Sequence, residues 1–417
     1  MADLKMLEAG SSLLGKKNNA MKSLKTVYDF CVVSLSSTSW EYPYWVSRQF
    51  LMYELSRFCP VLYANGRRDI RNVVSLKYWK SKKTTSPPPF KAPENLFVQP
   101  PLSALPKVYR YPQIDKMLSW HYGKFLRKKS RKLTRGKIVA YVWEPGHVDL
   151  LDGLAPDLIV YHPYDKFDML ALNKKDRKRV LCQERQLADL ADIIIVPSKK
   201  IADSFKPKDA RVVHNAVFLP EAGERQPGIS SLFDHIPRPR VGYIGTISTK
   251  LNFKLLHQIT SHNAFSMILM GPQRTGEWQN SEDLKKLQKL PNFHMLPPVR
   301  VDEVFDNMKQ LDLGIMPYSI TGHAGFCESP LKMYQYWLCG LPVISTELPN
   351  LEQIPGYVSV AVSHTDWVTL IEKELKNDSA ALKEKRKKLA MENSWANRAR
   401  EIFSLLSEHE KISGGQG

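Results

Sequence analysis

The chain has few cysteines and no long apolar run. The five cysteines stand at 31, 59, 182, 327 and 339, an odd and scattered set without Cys-x-x-Cys or Cys/His spacing. That rules out a disulfide framework and gives zinc no ligand set, so reduced thiols in a cytoplasm are the expectation. No stretch is apolar enough to span a bilayer, and the lysines near the start lead into no uninterrupted apolar segment, so neither a membrane span nor a secretory signal is expected. The 417 residues exceed one compact core and suit two domains.

Charge is present in excess, and on one side only. Residues 1–220 hold 38 Lys and Arg against 20 Asp and Glu, whereas residues 221–417 hold 22 of each, so the first part carries the whole net charge of +18. Such asymmetry calls for an anionic partner, either a membrane surface, a phosphorylated acceptor or nucleic acid. The basic part contains no recognisable nucleic-acid module, so nucleic acid is not the expected partner.

Along the chain, residues 1–25 read as a flexible extension. Residues 26–219 read as a Rossmann-like domain opening with a strand at 27–36, an aromatic loop, a helix at 45–58 and a strand at 61–64. Residues 78–93 are a basic, proline-rich excursion. Residues 112–135 read as a helix with Met117, Trp120 and Phe125 on one side and Lys124, Arg127, Lys128, Lys129, Arg131 and Lys132 on the other, a composition suited to a membrane interface. Strands recur at 137–142, 158–161 and 193–196. The proline-rich 220–239 reads as a linker. A second Rossmann-like domain, 240–395, restarts the pattern, and 396–417 form a last helix and tail. The fold class is therefore α/β, with two parallel-sheet domains facing a cleft.

The richest stretch is 328–345. It reads as a helix running into a buried strand, with Ser329 as cap, Pro330 at the first helical position, Lys332 in the first turn and Gly340 at the end. A helix start with a lysine beside it suits a diphosphate. Two other loops are expected to converge there. Gly245 and Thr246 follow the first strand, with Lys250 and Lys254 beyond them, and Gly325 lies in the turn before the helix. The loops 271–276 and 296–300 would flank a base.

Taken in this order, these pieces resemble the GT-B glycosyltransferases. The matching segments are 241–246, 269–272, 292–296, 311–318 and 329–345, with 184–198 and 213–217 in the first domain. Many retaining members of that family place two glutamates eight positions apart at this helix. Here the second aligns with Gln335 and the first falls at Cys327, with Glu328 one place off. A Lys-x-x-Gln pair, Lys332 and Gln335, is more similar to the inverting, membrane-associated glucuronosyltransferases of xanthan assembly. The resemblance implies a nucleotide-diphosphate sugar, such as UDP-glucuronate or a UDP-hexose, held by Gly245, Thr246, Lys250, Gly325, Ser329, Lys332 and Gln335. It also implies a lipid-linked or polysaccharide acceptor, met by the basic half at the inner face of the cell membrane. No Asp-x-Asp pair stands at a strand end, so neither metal nor cofactor is expected, and lysines with the helix dipole would neutralise the leaving diphosphate.

An inverting transfer needs a base at the acceptor hydroxyl. Asp165, in 160–167, is the leading candidate, with His162, Asp168 and Glu144 as rivals. Trp40, Tyr42 and Arg48 follow the first strand and are expected to line the acceptor side, where aromatic faces suit sugar rings.

Overall fold

The computed structural model describes residues 28–66, 68–69, 90–101, 103–104, 111–171, 173–219, 231–274, 277–320, 330–348, 351 and 357–414. The 1–25 extension, most of the 78–93 excursion, the start of the linker, Gly325 and Ser329 lie outside the described residues.

Two parallel sheets carry the fold. The first contains β1 (Phe30–Ser36), β2 (Val61–Asn65), β3 (Leu96–Gln99), β4 (Lys137–Val142), β5 (Leu158–Tyr161), β6 (Ile193–Val196) and β7 (Ala210–Val212), in spatial order β3-β2-β1-β4-β5-β6-β7. The second contains β8 (Arg240–Ile244), β9 (Ser266–Met270), β10 (Phe293–Leu296), β11 (Leu313–Met316), β12 (Val343–Thr346) and β13 (Val358–Ala361), in order β10-β9-β8-β11-β12-β13. Both orders reverse beside the first strand, and a crevice opens at the carboxyl ends of the strands at such a switch point. The central strands are buried along their length, apart from Lys137 at the start of β4, which is why they read as continuous apolar runs.

Helices cover both faces of the first sheet. On one face, α1 (Ser47–Leu55) shares a core with α8 (Trp395–Glu408): Phe50, Leu51, Ile402 and Leu406 belong to one cluster. The last helix thus returns to the first domain, and α1, covered outside as well as inside, is buried almost all round. On the other face lie α2 (Pro112–Ser130) and α3 (Lys174–Leu190), whose Tyr122, Leu126 and Leu187 pack with Val33, Ile138 and Ala140. The connections between domains run side by side, Val217 bonding to the backbone of Asn393 and Trp395.

In the second domain, α4 (Phe253–Thr260), α5 (Leu331–Leu338), α6 (His364–Asn377) and α7 (Ala380–Glu392) surround the sheet. Helix α5 starts one residue later than expected. Pro330 is extended (φ −71°, ψ 104°), so it takes the cap position and not the first helical one, and no side chain caps the helix. Its end matches expectation. Gly340, at φ +79°, sends its N–H to Trp337 O (2.8 Å), and Leu341 N–H reaches Tyr336 O (3.0 Å), closing a Schellman motif. Among the described residues no helix is long and apolar enough to cross a membrane.

Candidate active site

The second-domain half of the site is built by α5 reaching under the end of β8. The β8–β11 ladder stops at Gly242–Gly314, and beyond it α5 side chains take over. The Tyr336 hydroxyl accepts from Ile244 N–H (3.1 Å) and donates toward Gly242 O (3.3 Å). Burial pushes that phenol well above its usual range, so it stays a donor. Its ring lies against Gly314, where a Cβ would come within 2.5 Å of it. One turn earlier on α5, Lys332 Nζ donates to Ile244 O at 2.7 Å and sits 4.9 Å over the Tyr243 ring.

Two glycines make that arrangement possible. A Cβ on Gly245 would lie 1.7 Å from Lys332 Nζ. Gly271, at φ +144°, passes so close to the first loop that a Cβ there would meet Gly245 O at 2.2 Å. Strand-end glycines thus bring two loops and a lysine into one floor. Thr246 accepts from the Tyr243 hydroxyl through its carbonyl (3.1 Å), which fixes the turn.

Above this floor is a cavity of about 150 Å³, lined by Gly245, Thr246, Gly271, Pro272, Lys332 and Gln335 among others, with Val299 from the 296–300 loop expected to flank a base and Val301 just beyond it. Gln335 is only 9 % exposed. Tyr44, Trp45 and Val46 of the first domain close the cavity, so both domains contribute to it.

The expected acceptor residues divide. Trp40 is a correction: it is 2 % exposed, packed against Trp45 and Tyr63, with its N–H held by Asn65 Oδ1 (2.8 Å), so its ring belongs to the core. Tyr42 is exposed and stands edge-on to Tyr44. Arg48 is buried at the carboxyl edge of the first sheet in a polar knot. It donates to Thr38 Oγ1 (2.7 and 3.0 Å), stacks 3.7 Å over Tyr164 and faces Glu144 at 3.8 Å. Glu144 accepts from Ser37 N–H (3.2 Å) and Ser37 Oγ (3.0 Å), and His147 Nδ1 stands 3.3 Å away. Burial works against the charge of Glu144. His147, Arg48 and the Ser37 N–H outweigh it and hold the carboxyl below its ordinary range. His147 and Tyr164 escaped the sequence reading, because nothing local marks residues that meet only where adjacent strands end.

Asp165 follows β5 at the same edge. Its carboxylate accepts from Lys166 N–H (2.9 Å) and faces Lys250 of the second domain at 3.8 Å, with its side chain 21 % exposed. The proposed base and a proposed donor lysine thus meet across the cleft. Two rivals are placed differently. His162 is stacked on Trp143 and paired with the Tyr141 hydroxyl (2.6 Å), and burial lowers its pKa to about 3. Asp168 is buried and held through one oxygen by Arg177 (2.9 and 3.2 Å). His214 bonds Pro197 O (3.0 Å) and receives Arg398 at its carbonyl, a structural turn. Lys254 lines a separate cavity of about 290 Å³ between α4 and α6. Among the described residues no three His, Cys, Asp or Glu converge to hold a metal ion.

No family model matches the chain. A 169-residue stretch is 31 % identical to TuaH of Bacillus subtilis (strain 168), a provisionally assigned teichuronic acid biosynthesis glycosyltransferase, and covers 39 % of this chain and 42 % of that relative. In three dimensions the chain superposes on HepE of Anabaena in complex with UDP-glucose, with TM-score 0.63 and 12 % identity, over 92 % of this chain and 100 % of that one. It also superposes on an α,α-trehalose-phosphate synthase (UDP-forming) from Burkholderia xenovorans, with TM-score 0.59 and 9 % identity, over 92 % and 100 % respectively. The architecture is the GT-B fold, two Rossmann-like domains facing a cleft.

Proposed function

We propose that this chain is a glycosyltransferase. It would take a nucleotide-diphosphate sugar at the floor formed by Gly245, Gly271, Lys332 and Gln335 and pass the sugar to a lipid-linked or polysaccharide acceptor in envelope or exopolysaccharide assembly. The observation that carries the reading is the glycine-made approach of Gly245 and Gly271 to Lys332, inside a cavity closed by the other domain. The likeness to TuaH and to structures holding UDP and UDP-glucose supports the same donor class. UDP-glucuronate and UDP-hexoses are the donors to test first.

The chemistry assigns a role to each group. The diphosphate rests on the backbone N–H groups of the two glycine loops and the first turn of α5, with Lys332 and Lys250 balancing its charge. Gln335 hydrogen-bonds the nucleotide-sugar hydroxyls. Asp165 takes the acceptor proton as the acceptor oxygen attacks the anomeric carbon from the face opposite the leaving nucleoside diphosphate, which inverts the configuration. Lys250 changes partner in this scheme, from Asp165 to the arriving diphosphate, so donor binding releases the base. Ser329 and Gly325 join the donor set by their place in the motif.

A thermal-stability screen with UDP, UDP-glucose and UDP-glucuronate tests the donor. A ligand at a hundred times its Kd adds about 2.7 kcal/mol to the folded state. If no uridine nucleotide stabilises the protein, the donor assignment is wrong. The anomeric configuration of the product, read by NMR, separates inversion from retention.

A further inference from the structure

We infer that the outer face of α2 and α3 is a docking surface for an anionic phospholipid bilayer, which holds the mouth of the cleft against the lipid. The inference rests on the acceptor being lipid-linked only for its purpose; the surface itself follows from packing and charge.

The two helices lie on the same side of the first sheet and flank the turn Pro145–Leu150, and both bury their inner residues in the same core. Helix α2 is seated by backbone contact: a Cβ on Gly123 would meet Leu150 O at 2.3 Å, and one on Gly153 would meet Trp120 O at 2.0 Å. Its outer side is therefore presented rigidly. Helix α3 buries Leu187 alone.

What faces outward is mixed in the way an interface requires. Ile114, Met117 (52 % exposed) and Phe125 stand out from α2, and Leu181 stands out from α3. Lys124 Nζ caps the Trp120 ring at 3.7 Å. Around these lie Lys116, Arg127, Lys128, Lys174, Lys175 and Lys178, all exposed, and none of the six makes an ion pair among the described residues. Across α2 and α3 there are eleven Lys and Arg against four Asp and Glu. Residues 364–408, the helices at the far end of the chain, hold nine against eight. Apolar side chains between unpaired cations match a layer of anionic headgroups over hydrocarbon.

Position supplies the purpose. Each helix leads into a parallel strand, β4 or β6, and so runs antiparallel to it. Ile114, Met117 and the lysines at 174, 175 and 178 therefore sit toward the carboxyl edge of the sheet, the edge at which Glu144, Tyr164 and Asp165 also lie. A bilayer on this face would bring a lipid-borne sugar to the cleft without the chain crossing the membrane.

Co-sedimentation of the full chain with phosphatidylcholine vesicles, with and without phosphatidylglycerol, tests the inference. Binding should need the anionic lipid and weaken with salt. The triple variant Arg127→Glu, Lys128→Glu, Lys178→Glu should lose at least about 100-fold in partitioning. Ile114→Ser with Met117→Ser should lose less, and Lys373→Glu with Lys376→Glu on α6 should change little. Equal binding to neutral vesicles, or a triple variant that binds like the parent, overturns the inference. So does duplex RNA that binds as tightly as the vesicles while the Ile114/Met117 variant keeps vesicle binding, since that makes the face a nucleic-acid surface. Stabilisation by uridine nucleotides is measured on the same samples. Lost vesicle binding with nucleotide stabilisation intact sinks only the docking surface; the reverse sinks only the donor site.

Discussion

The two domains share a strand order and differ in what stands at the carboxyl ends of their strands. In the second domain the strand ends are occupied by glycines and a lysine, Gly245, Gly271 and Lys332, which leave main chain exposed where side chains would otherwise stand, with the Gly245 N–H itself tied to Met270 O (2.7 Å). In the first domain the same edge carries ionised and aromatic side chains, Arg48, Glu144, His147, Tyr164 and Asp165, which hold one another. A bare backbone floor suits a diphosphate, whose oxygens want N–H donors at close range. A side-chain edge suits selecting a hydroxyl and removing its proton. One topology thus presents two kinds of edge, because the switch point fixes where ligands lie in such sheets and leaves the loops free to differ.

The division breaks most visibly at Asp165. Asp165→Asn keeps the shape and removes the base, so turnover should fall by roughly 10²–10⁴-fold while uridine-nucleotide stabilisation persists. Near-normal turnover in that variant would falsify the assignment and turn attention to Glu144, the other carboxylate at this edge. Lys332→Ala should do the opposite. Loss of a charge-assisted hydrogen bond worth about 1.5–3 kcal/mol weakens donor binding by about ten- to a hundredfold. If the variant binds donor as tightly as the parent, Lys332 only ties α5 to β8.

The glycines sharpen the comparison, because each replacement meets a different obstacle. At Gly245 the φ of +158° is also one that L side chains rarely adopt, but the added Cβ meets only the flexible end of Lys332, so Gly245→Ala should lose donor affinity chiefly by displacing that lysine. At Gly271 the obstacle is backbone, Gly245 O at 2.2 Å, and the φ of +144° is one that L side chains rarely adopt. Gly271→Ala should therefore cost more than about 1 kcal/mol of stability. Urea titration with and without UDP separates the two. Equal stability losses would mean that the loops do not differ in this way.

The sequence showed the scaffold more clearly than the edge. Strands β4, β5 and β6 begin and end where the apolar, β-branched runs do, because a strand buried on both faces admits nothing else. β3 and β13 were not expected: each is four residues at or next to a sheet margin, with no run long enough to show. Lys332 was marked by its place in the first turn of α5 and Gln335 by the Lys-x-x-Gln resemblance, and both line the cavity at the end of β8. Trp40 misled because an aromatic residue in a loop carries no mark of which way its ring turns. The Arg48–Glu144–Tyr164 knot was only partly legible, since its members come from the first turn of α1 and from the loops after β4 and β5, and lie up to 116 positions apart in the chain.

The smallest expected effect concerns acid. His162 lies beneath the first-domain edge with its pKa lowered to about 3 by burial, against 6.5 for the free side chain. Between those values the unfolded chain binds a proton that the folded one refuses. Stability from this residue is therefore intact above pH 6.5 and is lost as the pH falls toward 3, by at most about 1.4 kcal/mol per pH unit. His162→Gln keeps an acceptor for the Tyr141 hydroxyl and removes the titration. At pH 8 it should be less stable than the parent, because a packed ring stacked on Trp143 is lost. The gap between the two proteins should narrow as the pH falls through 6 toward 4. Urea midpoints at a series of pH values measure it, and a gap independent of pH would show that the folded state takes up the proton as readily as the unfolded one. A narrowing gap with unchanged turnover at neutral pH would place His162 in the support of the acceptor edge and leave the chemistry to the carboxylates above it.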